Sequence, residues 1–407
     1  MKKRIAILLV LALLLGGCGG AGAEDLAKDF RPSQAASEAA GDVGPVVTDF
    51  GLRLLKETAE PGKNTLISPL SIVTALAMTA NGADGETLSQ MEAVLGGDMD
   101  LLNPRFKALR EDLGSETLMA NSIWIKDTPT LTVEDSFLQT NADWYWAGVF
   151  REPFDNGTLR QINGWVEEHT DGQIRDILDT IDGDAVMYLV NALAFEAKWE
   201  NPYGGYRVHE RRFTTGSGEE RPVTMMYSEE ELYLETEKAT GFLKYYEGRR
   251  YAFMALLPRE GTTVAELVES LDGASLREAL TGAQEIKVHA ALPKFETEYD
   301  TELREVLTGM GMTDAFDWKK ADFSRMGSTA DGTNLCIGRV IHKTKITVAE
   351  EGTKAAASTV VEMLAEGAAE IQEETRTVTL NRPFLYMIVD TEHMEPIFMG
   401  TLLDPQV

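Results

Sequence analysis

The sequence predicts a mixed α+β domain with antiparallel sheets. Segments with helical periodicity occupy most of the first half of the chain, and segments with strand character occupy most of the second half. The two kinds do not alternate strictly, as they would in a fold built on a parallel sheet, so an antiparallel arrangement is favoured. No second linker follows the N-terminal region, and residues 43–407 are therefore predicted to form one large domain.

The helices of the first half are predicted from apolar side chains that recur every three or four residues and share one face. Asn81-Gly82 and Gly96-Gly97 are typical stop signals after two of these segments. The predicted helices cover 46–55, 71–81, 86–95 and 159–170.

The strands are predicted from runs of β-branched, aromatic and other apolar residues. Residues 242–258 resemble a hairpin that turns near Glu247-Gly248, and residues 263–280 divide at Asp272-Gly273 into two short helices. The predicted single strands cover 118–125, 185–197, 285–298, 334–348, 384–390 and 397–403.

The N-terminus has the pattern of an export signal. Lys2, Lys3 and Arg4 precede an apolar run at 5–15, which is too short for a stable membrane anchor. The following Gly16-Gly17-Cys18 resembles a bacterial lipoprotein signal, in which cleavage leaves Cys18 lipidated; the alternative is an ordinary secretory signal. We therefore expect a signal peptide at 1–17 and a flexible tether at 18–42, where large apolar residues are few.

The charge balance excludes some partner classes. The chain carries a net charge of −28, and removal of the three basic signal residues lowers it further. Such a field opposes nucleic acid and anionic membrane surfaces. Once Cys18 is lipidated, only Cys336 remains, so no intrachain disulfide is expected.

Motifs for enzymatic chemistry are absent from the sequence. It contains no HExxH, no Gly-x-Ser-x-Gly, no phosphate-binding loop, no dinucleotide fingerprint and no paired CxxC. The histidines are dispersed along the chain. We predict that the protein is not an enzyme and needs no metal and no cofactor.

One stretch, 350–367, combines an alanine run with a strict alternation. The positions that share the parity of Thr353 are all small or apolar, whereas the other parity holds every charge between Thr353 and Glu366. Alternation of period two is what a strand buried on one face requires. The pattern alone leaves two interpretations open: an Ala-rich amphipathic helix, or a segment that is exposed in one state and a strand in another.

Motifs along the folded chain match those of one known protein family and occur in that family's order. Asn64 to Ser71 resembles the start of the family's second helix, Ile162-Asn163-Gly164-Trp165-Val166 a central helix, and Val190-Asn191-Ala192 through Trp199 a central strand. The later matches are Leu292-Pro293-Lys294-Phe295, Met310-Gly311-Met312, Ala321-Asp322-Phe323-Ser324, Arg382-Pro383-Phe384 and Phe398-Met399-Gly400. Each motif alone is weak, but the ordered set is specific.

The resemblance implies the serpin fold: a large antiparallel sheet with flanking helices, second and third smaller sheets, and an exposed reactive-centre loop. It assigns a sheet-opening cluster to Ser68, Ser71, Asn191 and His342. It also places Trp199, Lys294 and Glu350 at the top of the sheet, where Lys294 and Glu350 are expected to pair. The loop hinge is assigned to Glu350, Glu351, Gly352, Thr353, Lys354, Ala355, Ala356 and Ala357.

The resemblance also implies a reactive bond in the loop. Family spacing counted from Glu350 places it between Glu366 and Gly367. This loop is longer than in a typical serpin, so Met363, Leu364 and Ala365 remain alternatives. The family more often has Glu at the position of Lys354. The place of Lys354 in the alternation predicts that its side chain points outward from the sheet.

The function implied is inhibition of a serine, or a cysteine, endopeptidase by a covalent acyl-enzyme trap in which 352–366 inserts into the main sheet. The expected setting is a monomer held by a lipid anchor at a bacterial cell membrane and facing the extracellular space. The alternative is a non-inhibitory binding or carrier protein of the same fold.

Overall fold

The computed structural model describes residues 23–32, 44–183, 185–332, 334–353 and 374–405. Within these ranges the helices concentrate in the first half of the chain. They are α1 (Gly44–Thr58), α2 (Pro69–Ala80), α3 (Gly85–Leu95), α4 (Met99–Asp112), α5 (Asp135–Trp144), α6 (Asn156–His169), α7 (Val264–Ser270), α8 (Gly273–Thr281) and α9 (Arg304–Gly309).

The strands occur in both halves and dominate the second. They are β1 (Glu24–Asp25), β2 (Thr65–Ile67), β3 (Thr117–Lys126), β4 (Leu131–Val133), β5 (Gly148–Glu152), β6 (Met187–Phe195), β7 (Ala197–Lys198), β8 (Val208–Thr214), β9 (Glu220–Glu235), β10 (Ala239–Tyr245), β11 (Tyr251–Pro258), β12 (Gln284–Pro293), β13 (Phe295–Glu302), β14 (Gly327–Thr329), β15 (Arg339–Val348), β16 (Gly352–Thr353), β17 (Thr375–Thr379), β18 (Phe384–Asp390) and β19 (Glu395–Leu402).

Local sequence accounts for several helix starts. The side chain of Ser68 accepts a hydrogen bond from the backbone of Ser71 at the start of α2, and Pro69 occupies a first-turn position, where its missing N–H costs nothing. Asp155 and Thr158 form a reciprocal capping box at the start of α6. These caps fix where the two helices that pack on the main sheet begin.

The main sheet has eight strands, in the order β1-β5-β3-β6-β15-β16-β7, with β13 also paired to β15. Its two central strands, β6 and β15, run parallel, and residues 339–344 lie opposite residues 188–193. Most of the remaining pairs are antiparallel. Every residue of β6 is buried, because α6 covers one face of the strand and the large core covers the other.

The second sheet has nine strands in two groups that share the long strand β9. β8 pairs with residues 220–226 of β9 and β10 pairs with residues 232–235, whereas β12 pairs along residues 225–233. A third sheet consists of β4 and β14. The prediction of a mixed α+β fold with one large sheet, smaller sheets and flanking helices is confirmed.

Part of the segment predicted as a flexible tether is folded onto this domain. Strand β1 pairs antiparallel with β5 at the edge of the main sheet, and the backbone N–H of Leu26 donates to the carbonyl of Val149 at 2.8 Å. Backbone pairing to an exposed sheet edge needs no large apolar side chains, so composition alone does not reveal it. The remaining tether residues, and the signal residues 1–17, lie outside the described ranges.

Several elements differ from the predicted pattern, among them α5, β8 and β9, which were not predicted, and two of the differences have an identifiable cause. The single strand expected at 285–298 is divided at Lys294 into β12 and β13, which belong to different sheets. Alternation of side chains does not indicate which sheet a strand joins, so the division was not visible in the sequence. Helix α4 was not predicted, because it contains Pro104 and few apolar residues.

None of the helices in the described ranges is both long enough and apolar enough to cross a bilayer.

Candidate functional site

The first residues of the predicted loop form a strand inside the main sheet. Thr353 of β16 lies opposite Val348 of β15 on one side and Ala197 of β7 on the other. The chain reaches this position by a tight turn in which the N–H of Ala349 donates to the carbonyl of Gly352 at 3.0 Å. At its other end the loop leads into β17, which pairs with β12 in the second sheet. The loop therefore joins the two large sheets.

Gly352 is required here by the close approach of a neighbouring strand. A Cβ atom on this residue would lie 2.1 Å from the carbonyl oxygen of Ala197 and 2.7 Å from Cα of Lys198. Both contacts are with backbone, which cannot move aside as a flexible side chain could. Only glycine allows the hinge to enter the sheet at this position.

Thr353 is the first buried side chain of the hinge. It is completely excluded from solvent, and its hydroxyl oxygen lies 2.6 Å from the phenol oxygen of Tyr246. Burial raises the pKa of Tyr246, so the phenol keeps its proton at neutral pH. Thr353 belongs to the small and apolar set of alternating positions, and its side chain faces the core, as that set is predicted to do.

Trp199 forms the wall against which the hinge packs. Its indole Nε1 donates to the carbonyl of Ala349 at 2.8 Å, and its backbone N–H donates to the carbonyl of Glu351 at 2.9 Å. The indole also stacks on the Tyr246 ring, with centroids 4.3 Å apart. Trp199 and Tyr246 together hold the backbone on both sides of the turn.

Lys294 and Glu350 form an ion pair at the same end of the sheet. Nζ of Lys294 lies 2.9 Å and 3.3 Å from the two carboxylate oxygens of Glu350. Burial by itself raises the pKa of Glu350, but the hydrogen bonds from Lys294 and a backbone N–H, with the charge of Lys294, lower it overall. Glu350 is therefore ionised at neutral pH and anchors the start of the hinge to the junction of β12 and β13.

A second ion pair, not expected from the sequence, is buried beneath this wall. Nζ of Lys244 lies 3.0 Å from Oε1 of Glu230 and 3.0 Å from the carbonyl of Asn201. The ammonium also lies 4.5 Å from the centre of the Tyr203 ring and 5.3 Å from that of Trp199. Each charge needs the other, because an unpaired charge at this depth would cost several kcal/mol (roughly 3–5).

His342 links the two central strands below the hinge. Its Nε2 accepts from the backbone N–H of Ser68 at 3.1 Å, so its Nδ1 carries the proton and donates to Oδ1 of Asn191 at 2.7 Å. Burial lowers the pKa of His342 to about 3, and the ring is neutral at physiological pH. The bond crosses directly from β15 to β6.

The polar network extends from this histidine in two directions. The amide of Asn191 donates to Oδ1 of Asn121 on β3 at 2.7 Å, and the hydroxyl of Ser68 accepts from the backbone of Ser71 at 3.3 Å. The side-chain hydroxyl of Ser71 is buried without a partner among the described residues. The structure thus brings Ser68, Ser71, Asn191 and His342 together and adds Asn121.

Several predicted site residues lie outside the described ranges. They are the lipid-attachment residue Cys18, the hinge residues Lys354, Ala355, Ala356 and Ala357, the reactive-bond residues Glu366 and Gly367, and the alternatives Met363, Leu364 and Ala365. Their assignments stay predictions. Within the part of the chain that is described, no three His, Cys, Asp or Glu side chains lie close enough to hold a metal ion.

Tyr246 and Asn121 were not identified from the sequence, because each of them acts through a partner far away in the chain. Tyr246 and Thr353 are 107 residues apart, and Asn121 and Asn191 are 70 residues apart. Asn121 offered a weak signal as a polar residue inside an apolar strand, and so did Lys244. Neither signal identifies the partner.

Comparison with known proteins gives a consistent result. Residues 45–405 match the model of the serpin (serine protease inhibitor) family. A serpin-like protein of Thermococcus kodakarensis is 32% identical, with 100% of both chains covered. Serpin B9 of Homo sapiens is 30% identical, with 88% of this chain and 97% of that protein covered.

Solved structures show the same similarity. The thermophilic serpin tengpin in its native state is 41% identical with a TM-score of 0.89, covering 94% of this chain and 100% of that one. The latent state of tengpin gives a TM-score of 0.78 at 39% identity, covering 91% of this chain and 100% of that one. The fold described here is thus more similar to the native state of that protein than to its latent state.

Proposed function

The chain belongs to the serpin family, whose members are generally protease inhibitors rather than catalysts, and from that premise we propose that it traps a serine endopeptidase, or a cysteine endopeptidase, as a covalent acyl-enzyme. The observation that carries the proposal is the buried position of Thr353 between β15 and β7. Residues 352–353 lie in the sheet, and this position supports the proposal that the rest of 352–366 can follow them.

The chemical step is ordinary acyl transfer. The protease nucleophile attacks the carbonyl of the residue before the scissile bond, and an ester or thioester forms as the peptide C–N bond breaks. The leaving amine takes a proton from the protease's general acid and becomes the N-terminus of the C-terminal fragment. The N-terminal part of the loop, now bonded to the protease, is released from its tie to β17.

The freed arm then extends β16 between the two central strands. Before cleavage, β6 and β15 are paired directly at residues 188–193 and 339–344. The new strand would replace these hydrogen bonds with two sets, one to β6 and one to β15. Net backbone bonding of about 1 kcal/mol for each hydrogen bond and apolar burial of about 25 cal/mol per Å² drive the exchange. The entropy lost on ordering the arm opposes it.

The composition of the hinge favours fast insertion. Ala355 and Ala357 continue the parity of Thr353 and bring no charge or bulk to the inward face. Lys354 has the opposite parity, which would direct its side chain toward solvent in the inserted strand. Fast insertion matters, because the trap succeeds only if the protease is carried away before water cleaves the acyl bond.

The same proposal includes the setting of the inhibitor. Lipidation at Cys18 would hold a monomeric inhibitor at the bacterial cell membrane, facing proteases in the extracellular space. The folded segment at 23–32 lies between that residue and the domain. Labelling of growing cells with a radioactive fatty acid, with Cys18→Ser as the control, tests the anchor: label on the variant contradicts it.

A second function in the same fold is a non-inhibitory binding or carrier protein. Such a protein would be cleaved in the loop without capturing the protease. The small, uncharged inward residues of the hinge favour inhibition over this alternative.

The test combines the purified protein with a panel of serine and cysteine proteases. We expect at least one SDS-resistant complex and a C-terminal peptide, beginning at Gly367, that mass spectrometry identifies. Heating protease-free, loop-cleaved protein gives a second measurement, because strand insertion raises the unfolding temperature. Cleavage by every protease without a complex and without a rise in that temperature would support the carrier instead.

A further inference from the structure

A cavity of about 320 Å³ lies between the N-terminal segment and the edge of the main sheet. Its walls come from residues 25–32, from α4, from the end of α5 and from one face of α6. Most lining side chains are apolar or aromatic, including Phe30, Tyr145, Phe150 and Trp165. A volume near 300 Å³ is at the small end of the range for ligand pockets.

The charged groups around this cavity are mostly cationic. Lys28, Arg31 and Arg110 line it, with Asp25 as the carboxylate among the lining residues. One Asp25 oxygen accepts a hydrogen bond from the backbone of Ala27 at 2.9 Å. This local excess of positive charge contrasts with the net charge of −28 of the whole chain.

Arg110 is the innermost of these cations and has no carboxylate within ion-pair distance among the described residues. Its guanidinium donates to the sulfur of Met119 at 3.9 Å and lies 5.2 Å from the centre of the Trp146 ring. Burial lowers the pKa of Arg110, and no charged neighbour offsets that effect. A guanidinium with five donors is thus left with a weak acceptor and an aromatic face.

Asn121 supplies a second unsatisfied donor to the same cavity. This side chain is 6% exposed and lines the cavity. Its Oδ1 accepts from Asn191, but its Nδ2 has no hydrogen-bond partner in the described structure. A buried amide donor without a partner costs about 1–3 kcal/mol, so a ligand acceptor placed there would be favoured.

The cavity lining includes several aromatic side chains on which an aromatic ring of a ligand could pack. The Trp146 side chain is 41% exposed although it is large and apolar, and its backbone has a φ of 47°, which is unfavourable for a residue with a bulky side chain. Trp165 and His169 also line the cavity and stack on each other with centroids 4.1 Å apart.

We propose that this cavity binds a small amphipathic organic anion, an aromatic carboxylate whose charged group meets Arg110 and Asn121 and whose ring lies among Trp146, Phe150 and Trp165. Lys28 and Arg31 attract the anion at the rim. The site is separate from the loop hinge, and its occupation does not depend on protease inhibition.

The probes are 1-naphthaleneacetate and its neutral amide, 1-naphthaleneacetamide, titrated into the purified chain by calorimetry at low ionic strength. We expect the carboxylate to bind at least about tenfold more tightly than the amide, a difference of about 1.4 kcal/mol. Equal binding of the two, or no binding of either up to millimolar concentration, overturns the proposal. This comparison needs no altered protein.

Two variants locate the binding. Arg110→Gln should weaken carboxylate binding to about the level of the amide, while Arg105→Gln makes the same charge change in α4 outside the cavity lining and should leave the affinity within about twofold. Equal loss in both variants would indicate attraction by the general field of the protein, and unchanged binding to Arg110→Gln would place the ligand elsewhere. Either result contradicts the assignment.

Discussion

The hydroxyl oxygens of Thr353 and Tyr246 lie 2.6 Å apart in a site closed to solvent. Thr353 is the first inward residue of the hinge, and Tyr246 belongs to the second sheet's side of the core, stacked on Trp199. One hydrogen bond therefore connects the start of the loop to the aromatic wall of the body. Insertion of further residues begins from this fixed point.

Replacement of Thr353 by arginine should convert the inhibitor into a substrate. The larger charged side chain has no partner in the buried position, and leaving it there would cost several kcal/mol (roughly 3 or more). Each increase of about 1.4 kcal/mol in the insertion barrier slows insertion tenfold. On SDS gels we expect cleaved protein and active protease in place of the complex.

The matched control for that change is Thr353→Ser, which keeps the hydroxyl and adds no bulk. It should retain the complex. A stable complex with the arginine variant would show that inhibition does not require this position to be buried in the sheet.

Tyr246→Phe should loosen the hinge without changing the loop sequence. The Thr353 hydroxyl would remain buried without its partner, which costs about 1–3 kcal/mol. We expect a lower unfolding temperature and faster proteolysis at 352–353. Tyr245→Phe, a neighbouring phenol with an exposed side, is the control, and an equal effect of both changes would argue against a specific role of the Tyr246 hydrogen bond.

His342 should make stability depend on pH. Its pKa is about 3 in the folded protein and 6.5 ordinarily, so between these values the unfolded chain binds a proton that the folded protein does not. Stability therefore falls as pH decreases from 6.5 towards 3, by about 1.4 kcal/mol per pH unit for one proton. Urea midpoints across this range should show a shallower dependence in His342→Gln.

The control for this measurement is His209→Gln, because His209 is exposed on β8. Its pH dependence should match that of the unaltered protein. If His342→Gln keeps the full slope, the acid sensitivity has another origin.

The Lys294–Glu350 pair should also make stability depend on pH, in this case through a charge that the folded state stabilises. The pKa of Glu350 is lowered in the folded state, so the stabilisation is present above the ordinary value of 4.5 and is lost as pH falls through the lower folded value. The side chains are 39% and 31% exposed, and solvent screening limits the effect to less than about 1 kcal/mol. Glu350→Gln should lower the unfolding temperature slightly at pH 7 and have a smaller effect at pH 3. A loss of equal size at both pH values would point to packing instead of charge.

Glu366→Arg should redirect the inhibitor towards proteases that cleave after basic residues. The specificity of a serine protease is set largely by the residue before the scissile bond, and a charge reversal there changes its complementarity to the pocket. A trypsin-like protease should form the complex with the variant but not with the unaltered protein. Unchanged specificity would move the reactive bond to one of the alternatives, Met363, Leu364 or Ala365.

Much of the fold was predictable because it follows local patterns. The hairpin turn near Gly248 and the division at Asp272-Gly273 both occur where the sequence predicts them. Helix α4 and the change of sheet at Lys294 were not predictable, since an internal proline masks the first and the choice between two sheets depends on distant strands.

The sequence by itself determined the family and the parity of the hinge, because ordered motifs and alternation are properties of the chain alone. Only the tertiary structure decided that Thr353 meets Tyr246, that Asn121 joins the cluster around His342, and that residues 23–32 pair with the sheet edge. Each of these contacts joins segments far apart in the chain. The stabilisation from each contact depends on how deeply it is buried and on where its partner lies. The local sequence does not specify either of these.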